Sequence, residues 1–169
     1  MSANQYRRAN KRAYVILMMI LVYLLGSLAV GAVLNGFVTS MLVQTAVFVA
    51  AIVVSTVVMV SLRSTRVGMI LMMASGAASY VVVALLNRNE YAFVYAFVFI
   101  VMSMCFYNQR LVVLGNVVVI ITNIIRLVMN GDFSDSTAIQ ETMVVMITFV
   151  LVAVASISES QAILLSVRE

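Results

Sequence analysis

Long apolar runs separated by short polar stretches are the dominant pattern of this chain. A helix needs about 20 apolar residues to cross the hydrocarbon core of a bilayer, and the runs have about that length. A barrel strand would instead alternate apolar and polar residues over about ten positions. Six spans are predicted, at Ala13–Leu34, Met41–Leu62, Val67–Leu86, Tyr91–Phe106, Leu111–Met129 and Ala138–Ile157. The pattern therefore predicts an all-α, polytopic membrane protein, with six transmembrane helices in a bundle.

The fifth span carries polar residues inside its apolar run, which makes it the most informative segment. Asn116, Asn123 and Arg126 lie within it, and Asn130 follows it. At about 100° per residue, the four side chains fall within an arc of roughly 80°. A charge at the centre of a membrane helix costs roughly a few kcal/mol when it faces lipid. This polar stripe is therefore predicted to face other helices or a wet cavity.

Arg126 and Glu141 are the strongest candidate pair for a functional site. Each lies about one turn inside the outer end of its span, and the loop between the two spans is short. An ion pair between them would lower the cost of burying both charges. The pair could be a ligand-binding site under the outer surface, or a structural link between the fifth and sixth spans. Asn116 and Asn123 have the same two interpretations, ligand binding or hydrogen bonding between helices.

The composition excludes several classes of protein. Hydrophobic residues make up 64% of the 169 and charged residues 9%, and the mean hydropathy is +1.16. A soluble domain is about half apolar and a quarter charged. We therefore expect membrane lipid to surround the chain, and we expect no nucleic-acid partner.

The distribution of basic residues predicts the orientation. With the N terminus inside, eight of the ten Lys and Arg residues face the cytoplasm, only Arg88 faces outward, and Arg126 lies within a span. This arrangement satisfies the positive-inside rule, so both termini are predicted to be cytoplasmic. Residues 1–12 form a basic N-terminal segment, residues 13–157 the membrane domain, and residues 158–169 the start of a cytoplasmic helix. That helix is expected to lead into an output domain.

The residues give no sign of catalytic or metal chemistry. Cys105 is the only cysteine and histidine is absent, so neither an intrachain disulfide nor a His/Cys metal site is expected. No catalytic motif is present, and Asp132 and Asp135 belong to a loop where solvation is the simplest role. No cofactor, metal or enzymatic activity is predicted.

Two further features predict how the spans pack. Gly68, Ser75 and Ser79 form a small-residue face on the third span, and Ser27 with Gly31 does the same on the first. Such faces serve helix packing or dimer formation. The fourth span is rich in aromatic residues, for which contact with lipid is favoured over an aromatic pocket.

Parts of the sequence resemble a known family. LGNVVVIITNIIRLVM (Leu114–Met129), preceded by YNQR (Tyr107–Arg110), resembles the fifth span of methyl-accepting chemotaxis proteins that have a six-span N-terminal membrane region, of the clostridial type. YRRANKRAYVILMMILVYLLG (Tyr6–Gly26) is similar to their first helix, and SISESQAILLSVRE (156–169) to their exit from the sixth span.

This resemblance implies a function and partners. In such proteins the sixth span continues into a cytoplasmic helical hairpin that binds a histidine kinase and an adaptor, and its glutamates are methylated. The resemblance implies a homodimeric sensory module in a bacterial plasma membrane, and it transfers no ligand residues.

Two other functions stay open from the sequence. One is a substrate-binding subunit similar to the S component of an energy-coupling-factor transporter, which also has about six spans. The other is an anchor without a ligand. The sequence that follows Glu169 in the parent gene would discriminate between them, because a coiled-coil signalling region decides for the transducer.

Overall fold

The computed structural model describes residues 3–86, 92–106 and 108–130, together with residues 143, 147, 150, 151, 154, 155 and 158. Within the three continuous ranges the chain forms five α-helices, which are α1 (Ala3–Asn35), α2 (Thr39–Val57), α3 (Arg66–Leu86), α4 (Ala92–Met104) and α5 (Gln109–Asn130). A π-helical turn, Val58–Leu62, extends α2. These ranges contain no strand, so the predicted all-α class is confirmed for them.

Four of these helices are long and apolar enough to cross a membrane. They are α1, α2 with its π-helical turn, α3 and α5. The apolar helix Tyr95–Met104, which lies within α4, is shorter. Most of the sixth predicted span, including Glu141, lies outside the described residues. Its isolated described positions are helical and exposed.

α1 begins ten residues before the predicted first span, at Ala3 rather than Ala13. Residues 3–12 contain neither Gly nor Pro, and Ala, Arg and Lys are favourable helix residues. Ala9 and Asn10 are fully buried, so packing also stabilises this extension. The 33 residues span about 50 Å at about 1.5 Å each, which exceeds a hydrocarbon core of about 30 Å. The predicted basic segment is therefore a helical extension of the first span.

The turn between α2 and α3 is tight and locally capped. Thr65 precedes the first residue of α3, and its hydroxyl oxygen accepts a hydrogen bond from the Gly68 N–H at 3.1 Å. The same hydroxyl donates to the Leu62 carbonyl at 2.8 Å. This is an N-cap, which satisfies a backbone donor that the first turn of a helix leaves open. A Cβ atom at Gly68 would collide with the Leu62 carbonyl oxygen, so only glycine fits there.

α3 is the central helix of the described bundle. It packs against α1, α2, α4 and α5. Its small residues Gly68, Ser75 and Ser79 are buried, so of the two roles that the sequence left open, packing within the chain is the one that the described bundle shows. On α1, by contrast, Ser27 is exposed. Small side chains on α3 suit its position, because they let four neighbouring helices approach its backbone closely.

The prediction that the aromatic residues of the fourth span face lipid is wrong for two of them. Phe99 and Phe106 are buried, at 4% and 0% exposed. The ring of Phe99 stacks on Tyr80 of α3, with 5.7 Å between ring centroids. α4 packs against α1, α3 and α5, so much of its surface is covered by protein. Because the segment is apolar on every side, its sequence pattern indicated no buried face.

Candidate functional site in the bundle core

Asn123 of α5 makes a hydrogen bond to another helix in the apolar core. Its side-chain amide donates to the Tyr80 hydroxyl oxygen of α3 at 2.9 Å and to the backbone carbonyl of Val119 at 2.8 Å. Asn123 is 7% exposed and Tyr80 is 4% exposed. The predicted orientation of Asn123 toward other helices is confirmed, and its partner is a side chain on α3.

Tyr80 joins this polar contact to a small cavity. One face of its ring stacks on Phe99, and the ring borders a cavity of about 20 Å³ between α1, α3 and α4. Tyr95, Leu17 and Ser79 also line this cavity. A single water needs about 10–15 Å³ by the same measure, so the space suits about one water molecule. It is far smaller than the roughly 300–1,000 Å³ of typical small-molecule pockets.

Asn116, two turns before Asn123, is also buried but makes a different contact. It is 4% exposed, and its amide donates to the Val112 carbonyl of its own helix at 2.8 Å. Its side-chain oxygen is buried and has no hydrogen-bond partner among the residues that the structure describes. The orientation toward the bundle core is as predicted, whereas the hydrogen bond that its amide donates is within α5 and not between helices. A buried acceptor left unsatisfied costs about 1–3 kcal/mol. Asn116 is therefore an unusual residue for a position whose role is only to pack.

Close packing explains why Asn116 is buried. The neighbouring Gly115 lies where α5 approaches α4 and α3, since a Cβ atom there would be 3.3 Å from the Ser103 Cβ and 2.8 Å from the Met73 methyl carbon. Ser103 itself is buried and bonds to the Ile100 carbonyl at 2.7 Å. Small and polar residues therefore lie along the line where α3, α4 and α5 meet.

Arg126 lies one turn beyond Asn123 on the same helix. It is half-buried, and at about 100° per residue it lies about 60° around the helix from Asn123, whose amide contacts Tyr80. Tyr80, Asn123 and Arg126 thus form one group near the end of α5, which we call the Tyr80 cluster. Glu141, the predicted partner of Arg126, lies outside the described residues, so that ion pair stays a prediction.

The sequence did not single out Tyr80, although it offered one signal. Tyr80 follows Ser79 at the end of the small-residue face of the third span, and a buried tyrosine hydroxyl usually needs a polar partner. The fifth span supplied such partners. Which of these partners meets Tyr80 could not be predicted, because the order of helices around α3 is a property of the bundle.

The described residues offer little for metal or acid–base chemistry. They include no Asp and no Glu, and no group of metal-binding side chains occurs among them. Comparison of the chain with family models, curated proteins and solved structures gives no match. Function is therefore inferred from the Tyr80 cluster and its surroundings.

Proposed function

We propose that this chain is the membrane-embedded sensory module of a bacterial chemoreceptor-like transducer in the plasma membrane. In this proposal a cue changes the position of α5, and the sixth span passes that change to a cytoplasmic signalling helix. The module works as a homodimer, and its output domain binds a histidine kinase and an adaptor. The observation that carries the proposal is the Tyr80–Asn123 hydrogen bond between α3 and α5.

This hydrogen bond suits a switch because Asn123 keeps a second partner when the bond is lost. The Asn123 amide also donates to Val119 of its own helix, so α5 can move away from Tyr80 and keep one bond. Hydrogen bonds between membrane helices contribute about 0.6–2 kcal/mol. A change of about 1.4 kcal/mol shifts an equilibrium tenfold. A cue with a modest preference for one position of α5 would therefore change the populations substantially.

The position of Arg126 gives the cue a point of entry. Arg126 is half-buried and lies near the end of α5, one turn beyond the residue that bonds to Tyr80. An anion or a polar ligand that neutralised this guanidinium would alter the electrostatics of the whole Tyr80 cluster. In the sequence, the loop 131–137 follows α5 directly and leads to the sixth predicted span. A displacement at Arg126 is thus close to the segment that we propose carries the signal onward.

The transporter-subunit alternative receives less support from the part of the core that the structure describes. A vitamin-sized ligand needs a pocket of roughly 300–1,000 Å³, and the cavity beside Tyr80 holds about 20 Å³. That space suits a packed contact between helices, which a transducer needs, rather than a substrate.

A fusion experiment tests the proposal. The chain is joined after Glu169 to a chemoreceptor signalling hairpin, and kinase activity is measured in membranes for the parent, Asn123→Leu and Ile124→Leu. Ile124 is the matched control because it is the next residue and is exposed. We expect Asn123→Leu to change kinase activity by about 3- to 20-fold, corresponding to roughly 0.6–1.7 kcal/mol, and Ile124→Leu to leave it unchanged. Parental kinase activity in a fully inserted Asn123→Leu fusion would contradict the proposal.

A further inference from the structure

One end of the described bundle carries a dense group of cations. The N-terminal part of α1, the turn between α2 and α3, and the first turn of α5 lie at this end, because consecutive helices run in opposite directions. The group, which we call the basic end, consists of Arg7, Arg8, Lys11, Arg12, Arg63, Arg66 and Arg110, all exposed. The described ranges contain no carboxylate side chain, so nothing in them offsets this positive charge.

Asn10 holds two parts of the basic end together. It is fully buried, and its side-chain amide donates to the backbone carbonyls of Arg63 at 3.0 Å and of Thr65 at 3.4 Å. This clamp fixes the N-terminal helix against the turn between α2 and α3. The cations of the two segments are therefore held near one another on a rigid helical surface.

The same clamp directs the N-terminal cations outward. Ala9, Asn10 and Ala13 are buried. At about 100° per residue, Arg8 and Lys11 lie roughly opposite the centre of that buried face. From Arg7 to Arg12 the helix rises about 7.5 Å. That rise matches the headgroup layer on one side of a bilayer, which is about 5–8 Å thick.

An apolar surface adjoins the cations. Val60 and Val67 flank Arg63 and Arg66 in the sequence and are 76% and 57% exposed. Cations next to exposed aliphatic side chains match a molecule that has a phosphate group joined to acyl chains. An acidic protein partner would contact the cations but would not contact aliphatic residues at the depth of the bilayer.

We propose that the basic end binds the phosphate headgroups of anionic phospholipids in the leaflet that it faces. The headgroups are contacted by two groups of cations, Arg7, Arg8 and Lys11 on α1, and Arg63 in the turn before α3 with Arg66 in its first turn. Asn10 keeps the two groups in register. This binding is specific in the sense that it needs the arrangement of the cations and not only their number. It does not depend on the proposed sensory function.

Lipid retention by the purified full chain tests the proposal. Native mass spectrometry measures how strongly the detergent-solubilised protein retains phosphatidylglycerol and phosphatidylcholine. We expect retention to favour phosphatidylglycerol. A surface cation contributes about 1 kcal/mol, or about fivefold, so Arg7→Gln/Arg8→Gln/Lys11→Gln should weaken phosphatidylglycerol retention about 100-fold. Arg88→Gln removes one cation that is predicted to face outward, and it is expected to change this retention little.

A variant that keeps every charge distinguishes an arranged site from general attraction. Asn10→Leu removes the clamp without changing the net charge, and we expect it to weaken phosphatidylglycerol retention several-fold. Equal retention of the two lipids by the parent chain would overturn the proposal, as would full phosphatidylglycerol retention by the triple variant. Stronger binding of a polyglutamate peptide than of phosphatidylglycerol would also overturn it, in favour of a protein partner. Asn10→Leu retention equal to that of the parent would overturn the requirement for an arranged surface.

Discussion

The hydrogen bond between Tyr80 and Asn123 should have a measurable coupling energy. Tyr80→Phe removes only the hydroxyl oxygen that accepts from Asn123 at 2.9 Å. The Asn123 amide keeps its bond to Val119, so this variant should lose no more than one hydrogen bond between helices, about 0.6–1.7 kcal/mol. Asn123→Leu removes the donor and leaves a buried hydroxyl without it, which should cost about 1–3 kcal/mol. The double variant should lose less than the sum, with a coupling energy of about 0.6–1.7 kcal/mol.

Unfolding in bicelles by steric trapping measures these free energies in a bilayer-like environment. The parent, both single variants and the double variant complete the cycle. Tyr95→Phe is a useful control, because Tyr95 lines the same cavity and is half-buried. Additive effects of Tyr80→Phe and Asn123→Leu within about 0.3 kcal/mol would refute the contact, and with it the proposed switch.

Three further predictions concern other positions. Gly68→Ala should destabilise the protein, because the new Cβ would meet a backbone oxygen. Gly26→Ala should be neutral or stabilising by up to about 1 kcal/mol, since nothing lies within 4 Å of a Cβ placed there. Unfolding in bicelles compares the two variants. Arg126→Gln and Glu141→Gln should be non-additive in a double-mutant cycle if the predicted ion pair exists, and additivity would show that the side chains do not meet. Asn116→Leu removes a buried oxygen that has no partner in the described part of the chain, so it should raise the free energy of unfolding by about 1 kcal/mol. A loss of output in the kinase fusion would show that the amide is retained for function.

The all-α class and three of the predicted spans could be read from the sequence, because they depend on length and composition alone. The helices α2, α3 and α5 coincide with the second, third and fifth predicted spans to within a few residues. The inward orientation of Asn116 and Asn123 was also predictable, because a polar residue on an apolar helix has one favourable direction.

What the sequence could not supply was the arrangement of neighbours. Phe99 belongs to a segment that is apolar on all sides, so no periodicity marked its buried face. The helical start at Ala3 was missed for a related reason. A basic segment is expected to be exposed to solvent, and only the structure shows that Ala9 and Asn10 are buried. In both cases a contact between distant parts of the chain determines the outcome.

The continuous helix α3 links the basic end to the Tyr80 cluster. Asn10 bonds to the turn that precedes α3, and Tyr80 lies about 21 Å along α3 from its first residue. Described residues 66–86 form α3 without an interruption, so a displacement at the clamp would move Tyr80 relative to α5. Proximity along a helix does not by itself establish coupling. The coupling is measured by a double-mutant cycle between Asn10→Leu and Asn123→Leu, with the kinase activity of the fusion as the readout. The effects of substitutions this far apart add when the two sites are independent. A coupling energy above about 0.5 kcal/mol would therefore join headgroup binding and signalling in one mechanism. Additive effects would leave them as separate properties of the chain.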